Sequence, residues 1–151
     1  MSHDHNFYVQ RINNYILKAY PENNFYWESD LKIHPNVPKI PIADPDKPGE
    51  RLLKVPDLIA VDRDDPSFTI MGEAKTYYDY LNDLDRVNKQ LDYYFNRLKY
   101  KKNGFLVYSL PHPLKINVSN LIYKKRNYWD ASHINYVVVT NLEYAIEIFK
   151  N

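Results

Sequence analysis

The chain has 151 residues, enough for one domain with a substantial core, since a domain of this length buries roughly 70% of its extended surface. Apolar residues make up 44% and charged ones 26%, which excludes a disordered or fibrous chain, and twenty Lys and Arg against nineteen Asp and Glu leave +1, which speaks against a polybasic DNA binder. The absence of cysteine excludes a disulfide scaffold, a Cys-rich zinc module, an iron–sulfur cluster and a thiol nucleophile.

The first residues, Met1-Ser2-His3-Asp4-His5, show no basic segment followed by an apolar one. No run approaches the roughly 20 apolar residues of a membrane span, so a soluble, cytoplasmic protein without a membrane partner is expected. His3 and His5, which flank Asp4 in a metal-binding pattern, are read as a flexible terminus rather than as metal ligands. Tyr8, Ile12, Tyr15, Ile16 and Ala19 form one stripe of a helix over 5–19 that Pro21 ends. Phe25 to Ser29 reads as a strand. Five prolines between Pro35 and Pro48 then predict an extended surface loop over 35–49.

Leu52 to Val61 is apolar on both alternating sets, as in a strand covered on two faces. After a turn over 62–67, Phe68, Ile70, Gly72 and Ala74 alternate with Thr69, Met71, Glu73 and Lys75, which puts Glu73 and Lys75 on the same side of a strand. Asp79 is the expected cap of a helix whose stripe is Leu84, Val87, Leu91, Tyr94 or Phe95, and Leu98. Gly104 to Leu110 reads as a strand, 114–129 fits helix or strand, and His133 to Thr140 reads as a strand. Thr140 and Glu143 match a capping box for a final helix carrying Leu142, Ala145, Ile146 and Phe149. The whole is a single α/β domain over 1–151: a mixed central sheet in α-β-β-β-α-β order, flanked by helices, with an extra C-terminal strand and helix.

Pro56-Asp57 in one strand and Glu73-Ala74-Lys75 at the end of the next bring two carboxylates and an amine to one sheet edge if those strands pair. One or two carboxylates with waters and phosphate oxygens are the usual ligands of Mg²⁺. A lysine on the same face can orient the attacking water and offset charge on a phosphoryl transition state. Pro45-Asp46 is a second P-D pair, but it falls in the proline-rich loop with no strand to aim it.

Asp57, Glu73 and Lys75, in P-D-x(15)-E-x-K form, resemble the PD-(D/E)XK phosphodiesterase superfamily, with its restriction-endonuclease-like fold. Gln90-Leu91-Asp92-Tyr93-Tyr94 is similar to the Q-x-x-x-Y motif of RecB-like nucleases and type I restriction motor-subunit nuclease domains. The resemblance spans residues 5 to about 110. It implies Asp57, Glu73 and the Ala74 carbonyl as ligands of Mg²⁺ or Mn²⁺, Lys75 as the catalytic lysine and Gln90 as a supporting residue. Many relatives carry a further acid on the first helix, where this chain has none between His5 and Pro21; Glu28 or Glu50 are the available substitutes.

The two halves differ in charge. Residues 1–75 carry 9 basic and 12 acidic side chains, and 76–151 carry 11 and 7. No acid occurs from Tyr93 to Trp129, where eight cations interleave with aromatics. Tyr94, Lys101, Lys102, Lys124, Lys125 and Arg126 are therefore the candidate nucleic-acid contacts. The expected function is a metal-dependent nuclease, an endonuclease hydrolysing DNA, acting as a homodimer or with partner subunits. The alternatives are a catalytically inactive module of the same fold that binds nucleic acid or protein, and an accessory or structure-specific nuclease that needs partner subunits.

Overall fold

A computed structural model describes residues 3–29, 56–141 and 146–149 of the chain. The elements are α1 (His3–Ala19), β1 (Phe25–Ser29), β2 (Leu58–Asp62), β3 (Thr69–Ala74), α2 (Tyr77–Asn82), α3 (Leu84–Leu98), β4 (Phe105–Ser109), α4 (Lys115–Tyr128), β5 (Asn135–Val139) and β6 (Ile146–Phe149). The strands form one sheet in chain order. Pairings β1–β2, β2–β3 and β5–β6 are antiparallel, while β3, β4 and β5 run parallel. This is an open mixed sheet with helices on both faces. The proline-rich stretch 35–49 and residues 52–55 lie outside the described residues.

The period-2 pattern of β3 sorts its side chains between two cores. Ile70 and Ala74 join Tyr8, Val9, Ile12 and Ile16 of α1, whereas Met71 joins Val87, Leu91, Tyr94, Phe95 and Leu98 of α3 and Val118 and Ile122 of α4. Every residue of β3 is buried, as expected for a strand covered on both faces. At Gly72 a Cβ would lie 2.8 Å from Ile12 Cγ2, so α1 rests directly on the strand backbone there.

Four expectations are corrected. Pro56-Asp57 precedes β2 rather than lying within a strand. Asp79 is not a cap: Thr76, extended just after β3, accepts the Asp79 N–H at 3.1 Å and starts α2, and Asp83 accepts the Arg86 N–H at 3.3 Å and starts α3. The predicted single helix is thus two, and Leu84 faces solvent at the junction. Ile146 and Phe149 belong to a strand, because β5 offers an open edge and Val139↔Ile146 through Tyr136↔Phe149 satisfy it; residues 142–145 lie outside the described residues.

The ambiguous 114–129 stretch is helical. A short 3₁₀ turn (His112–Leu114) leads into α4, whose buried positions are Val118, Ser119, Ile122 and Arg126. A serine and an arginine in the buried stripe are what blurred the periodicity. Arg126 is 1% exposed, donates from Nη1 to the Ile134 carbonyl at 3.1 Å and lies 5.0 Å over the Tyr136 ring. Its assignment as a nucleic-acid contact is therefore corrected to a core residue. Arg126→Ala should lower unfolding free energy by about 2–4 kcal/mol in urea titrations, as expected for truncating a buried, bonded side chain, against within about 0.5 kcal/mol for exposed Lys124→Ala. Equal stability of the two variants would contradict the core role.

Candidate active site

The antiparallel register of β2 and β3 pairs Leu58 with Gly72. One step outward, Asp57 comes opposite Glu73. Asp57 Oδ2 accepts the backbone N–H of Ala74 at 2.8 Å, which anchors the carboxylate at the end of β3. Glu73 and Lys75 lie on the same side of the chain, as alternation demands, and Lys75 Nζ is 3.0 Å from Glu73 Oε2. The Lys75 N–H donates to the Ser109 carbonyl of β4 at 3.0 Å, which fixes the backbone just past the strand end. Asp57, Glu73, Ala74 and Lys75 all line one cleft of about 370 Å³, closed on its other sides by α2, the start of α3 and the N-terminal turns of α1.

Glu73 is 3% exposed and Lys75 is 7% exposed. Burial, and then the charge of Asp57, push the Glu73 carboxyl up to about 8; Lys75 and a 2.6 Å hydrogen bond from the Tyr94 hydroxyl act in the opposite direction. Tyr94 in turn has its phenol held well above its ordinary range by burial and by Glu73. It is 1% exposed, so its assignment as a nucleic-acid contact is corrected: it positions Glu73. Gln90, one helical turn earlier on α3, is 4% exposed, and among the described residues neither its Nε2 nor its Oε1 has a hydrogen-bond partner. It lines a second groove, of about 310 Å³, together with Arg86, Lys89 and Tyr93.

His5 was missed by the sequence reading. Its Nε2 lies 3.3 Å from Asp57 Oδ2 and its ring lines the cleft. The signal was present, because His5 stands three residues before Tyr8 and seven before Ile12, on the helix stripe that packs against the sheet. Glu28 and Glu50, weighed as substitutes for an acid on the first helix, have no described side chain.

The remaining basic candidates are not at this site. Lys101 and Lys102 occupy the turn leading into β4, and Lys124 and Lys125 the end of α4 leading toward β5. Because β3, β4 and β5 are parallel, these positions lie at the opposite end of the sheet from Ala74 and Lys75, a strand length of about 17 Å away. Lys125 pairs with Asp92 at 3.1 Å and Lys101 Nζ approaches the Pro66 carbonyl at 3.5 Å, while Lys102 and Lys124 are exposed. No helix among the described residues is long and apolar enough to cross a membrane.

No protein-family model, curated protein or solved structure matches the chain.

The raised Glu73 carboxyl has a definite sign. Its folded-state value of about 8 exceeds the ordinary 4.5, so the stability it contributes is full below about 4.5 and is lost as pH rises through about 8. Relative to Glu73→Gln, the metal-free protein should lose unfolding free energy between about pH 5 and pH 8, with a slope approaching about 1.4 kcal/mol per pH unit. Parallel stability curves for the two proteins would show that Glu73 is ionised throughout.

Proposed function

We propose that the chain is a divalent-metal-dependent phosphodiesterase that hydrolyses nucleic acid, DNA first of all, with the restriction-endonuclease-like fold of the PD-(D/E)XK superfamily. The observation that carries this reading is the meeting of Asp57, just before β2, and Glu73 of β3 with Lys75, whose Nζ is 3.0 Å from Glu73, in one cleft. The donors fit Mg²⁺ or Mn²⁺: two carboxylates and the Ala74 carbonyl are hard oxygen ligands. The charges fit too: burial first, and then the Asp57 carboxylate, raise the Glu73 carboxyl, and a dication would offset the repulsion between the two acids. A bound dication would supply Lewis-acid polarisation of the phosphate and a more acidic water.

The protein's own groups divide the remaining work. Asp57 is held by the Ala74 N–H and by His5, and Glu73 by Tyr94, so both carboxylates are fixed before a ligand arrives. Lys75 Nζ sits 3.0 Å from Glu73, where it orients the attacking water and offsets charge growing on the phosphate oxygens. Gln90, on the turn below Tyr94, supports that arrangement from α3. A second reading, a binding module of the same fold, draws on the fact that both Glu73 oxygens already have protein partners. Titration calorimetry with Mn²⁺ separates the two, because such a module takes up no metal.

Lys75→Ala should reduce Mg²⁺- or Mn²⁺-dependent cleavage at least about a hundredfold, the scale of losing one preorganised charge-stabilising group. Circular dichroism should show the fold retained. An unchanged cleavage rate in this variant would refute the assignment.

A further inference from the structure

The carboxylate cleft has an aromatic lip that the proposed chemistry does not use. Tyr78 lines the cleft and is 73% exposed, and its neighbour Tyr77 is 51% exposed. Both sit on α2, which begins two residues after Lys75. Beyond them, the cleft adjoins the second groove, and Asp83 and Arg86 line both. Tyr93, Arg86 and Lys89 border that groove with Asp85, and Gln90 lies in its wall.

Resting on the phosphodiesterase reading, we propose that the substrate of this cleft is single-stranded nucleic acid, with bases stacked on Tyr78 and Tyr93 and phosphates held by Arg86 and Lys89. Two physical arguments favour a single strand over a duplex. Base faces are free to stack on a protein ring only when they are unpaired and unstacked from their neighbours, and such stacking is indifferent to sequence. The cleft also carries Asp79 and Asp83 beside Asp57 and Glu73. Duplex DNA brings one negative charge per roughly 1.7 Å of axis, about twice the density of one strand, so an acid-lined mouth repels it more. The recessed position of Glu73 and Lys75 acts in the same direction, since a thin flexible backbone reaches buried groups that a rigid duplex does not.

Fluorescence anisotropy of a labelled single-stranded DNA oligonucleotide, and of the same oligonucleotide in duplex form, tests this with the full chain and Ca²⁺ present. The single strand should bind at least about tenfold tighter, Tyr78→Ala should weaken its binding about tenfold, and Tyr78→Phe should restore it, because the ring and not the hydroxyl stacks. Duplex binding as tight as single-strand binding, or no loss in Tyr78→Ala, would overturn the inference. Cleavage with Mn²⁺ distinguishes it from the reading beneath it. A chain that binds single strands through Tyr78 yet cuts nothing overturns the phosphodiesterase and leaves the single-strand track. One that cuts duplex through Lys75 and binds single strands no better overturns the track alone.

Discussion

Two carboxylates brought face to face at the end of the β2–β3 pair, in a place where water scarcely reaches one of them, set the terms for everything around them. Moving an ion out of water costs several kcal/mol unless it is paired and hydrogen-bonded. The compensation comes from separate elements. Tyr94 reaches Glu73 from α3, Lys75 reaches it from the end of β3, the Ala74 amide holds Asp57, and His5 approaches Asp57 from α1. The polar cluster therefore joins the helices of both faces to the same strand end.

Tyrosine is the residue that makes the cluster possible. The chain has fifteen tyrosines, and many of them divide toward the extremes of exposure. Tyr94 and Tyr108 are at most 1% exposed, while Tyr78, Tyr100 and Tyr128 are more than 70% exposed. Tyr108 pairs across the parallel ladder with Glu73, and its hydroxyl, like that of Tyr94, is pushed well above its ordinary range first by burial. A phenol beside a buried carboxylate packs like an apolar ring and still carries a hydrogen-bonding hydroxyl, which Phe lacks and Asp or Glu would supply only with a further charge.

Much of this was legible in the sequence. The stripe of α1 and the alternation of β3 are strong periodic signals, and a strand parity of two was enough to place Glu73 and Lys75 together. What stayed hidden depended on three-dimensional position. Tyr94 fits both the helix stripe and the basic, aromatic stretch, and Arg126 looks like a surface group; their bonds to Glu73 and to the Ile134 carbonyl show both to be interior. Lys101 and Lys102 lie closer in sequence to Glu73 than Lys124 does, yet all three fall at the far end, because chain order does not say whether successive strands pair parallel, and the parallel pairing puts the segments before β4 and β5 away from Glu73. The division between α2 and α3 was missed because Thr76 and Asp83 compete with Asp79 as caps, and a helix start is decided by backbone angles as much as by residue type.

Gly72 shows how far the site depends on a position that carries no chemistry. It faces α1, on the side of the sheet away from Glu73, and the absent side chain lets Ile12 settle within van der Waals reach of the strand. Two helical turns before Ile12, about 10 Å along the axis, stands His5. Gly72 thus acts as a gauge for the height of the helix: it sets how low the first turns of α1 ride over the strand ends, and so where the imidazole meets Asp57. Widening that spacing, even by a methyl group, would be felt as leverage at the mouth of the cleft, transmitted by a rigid helix rather than by any contact with the carboxylates.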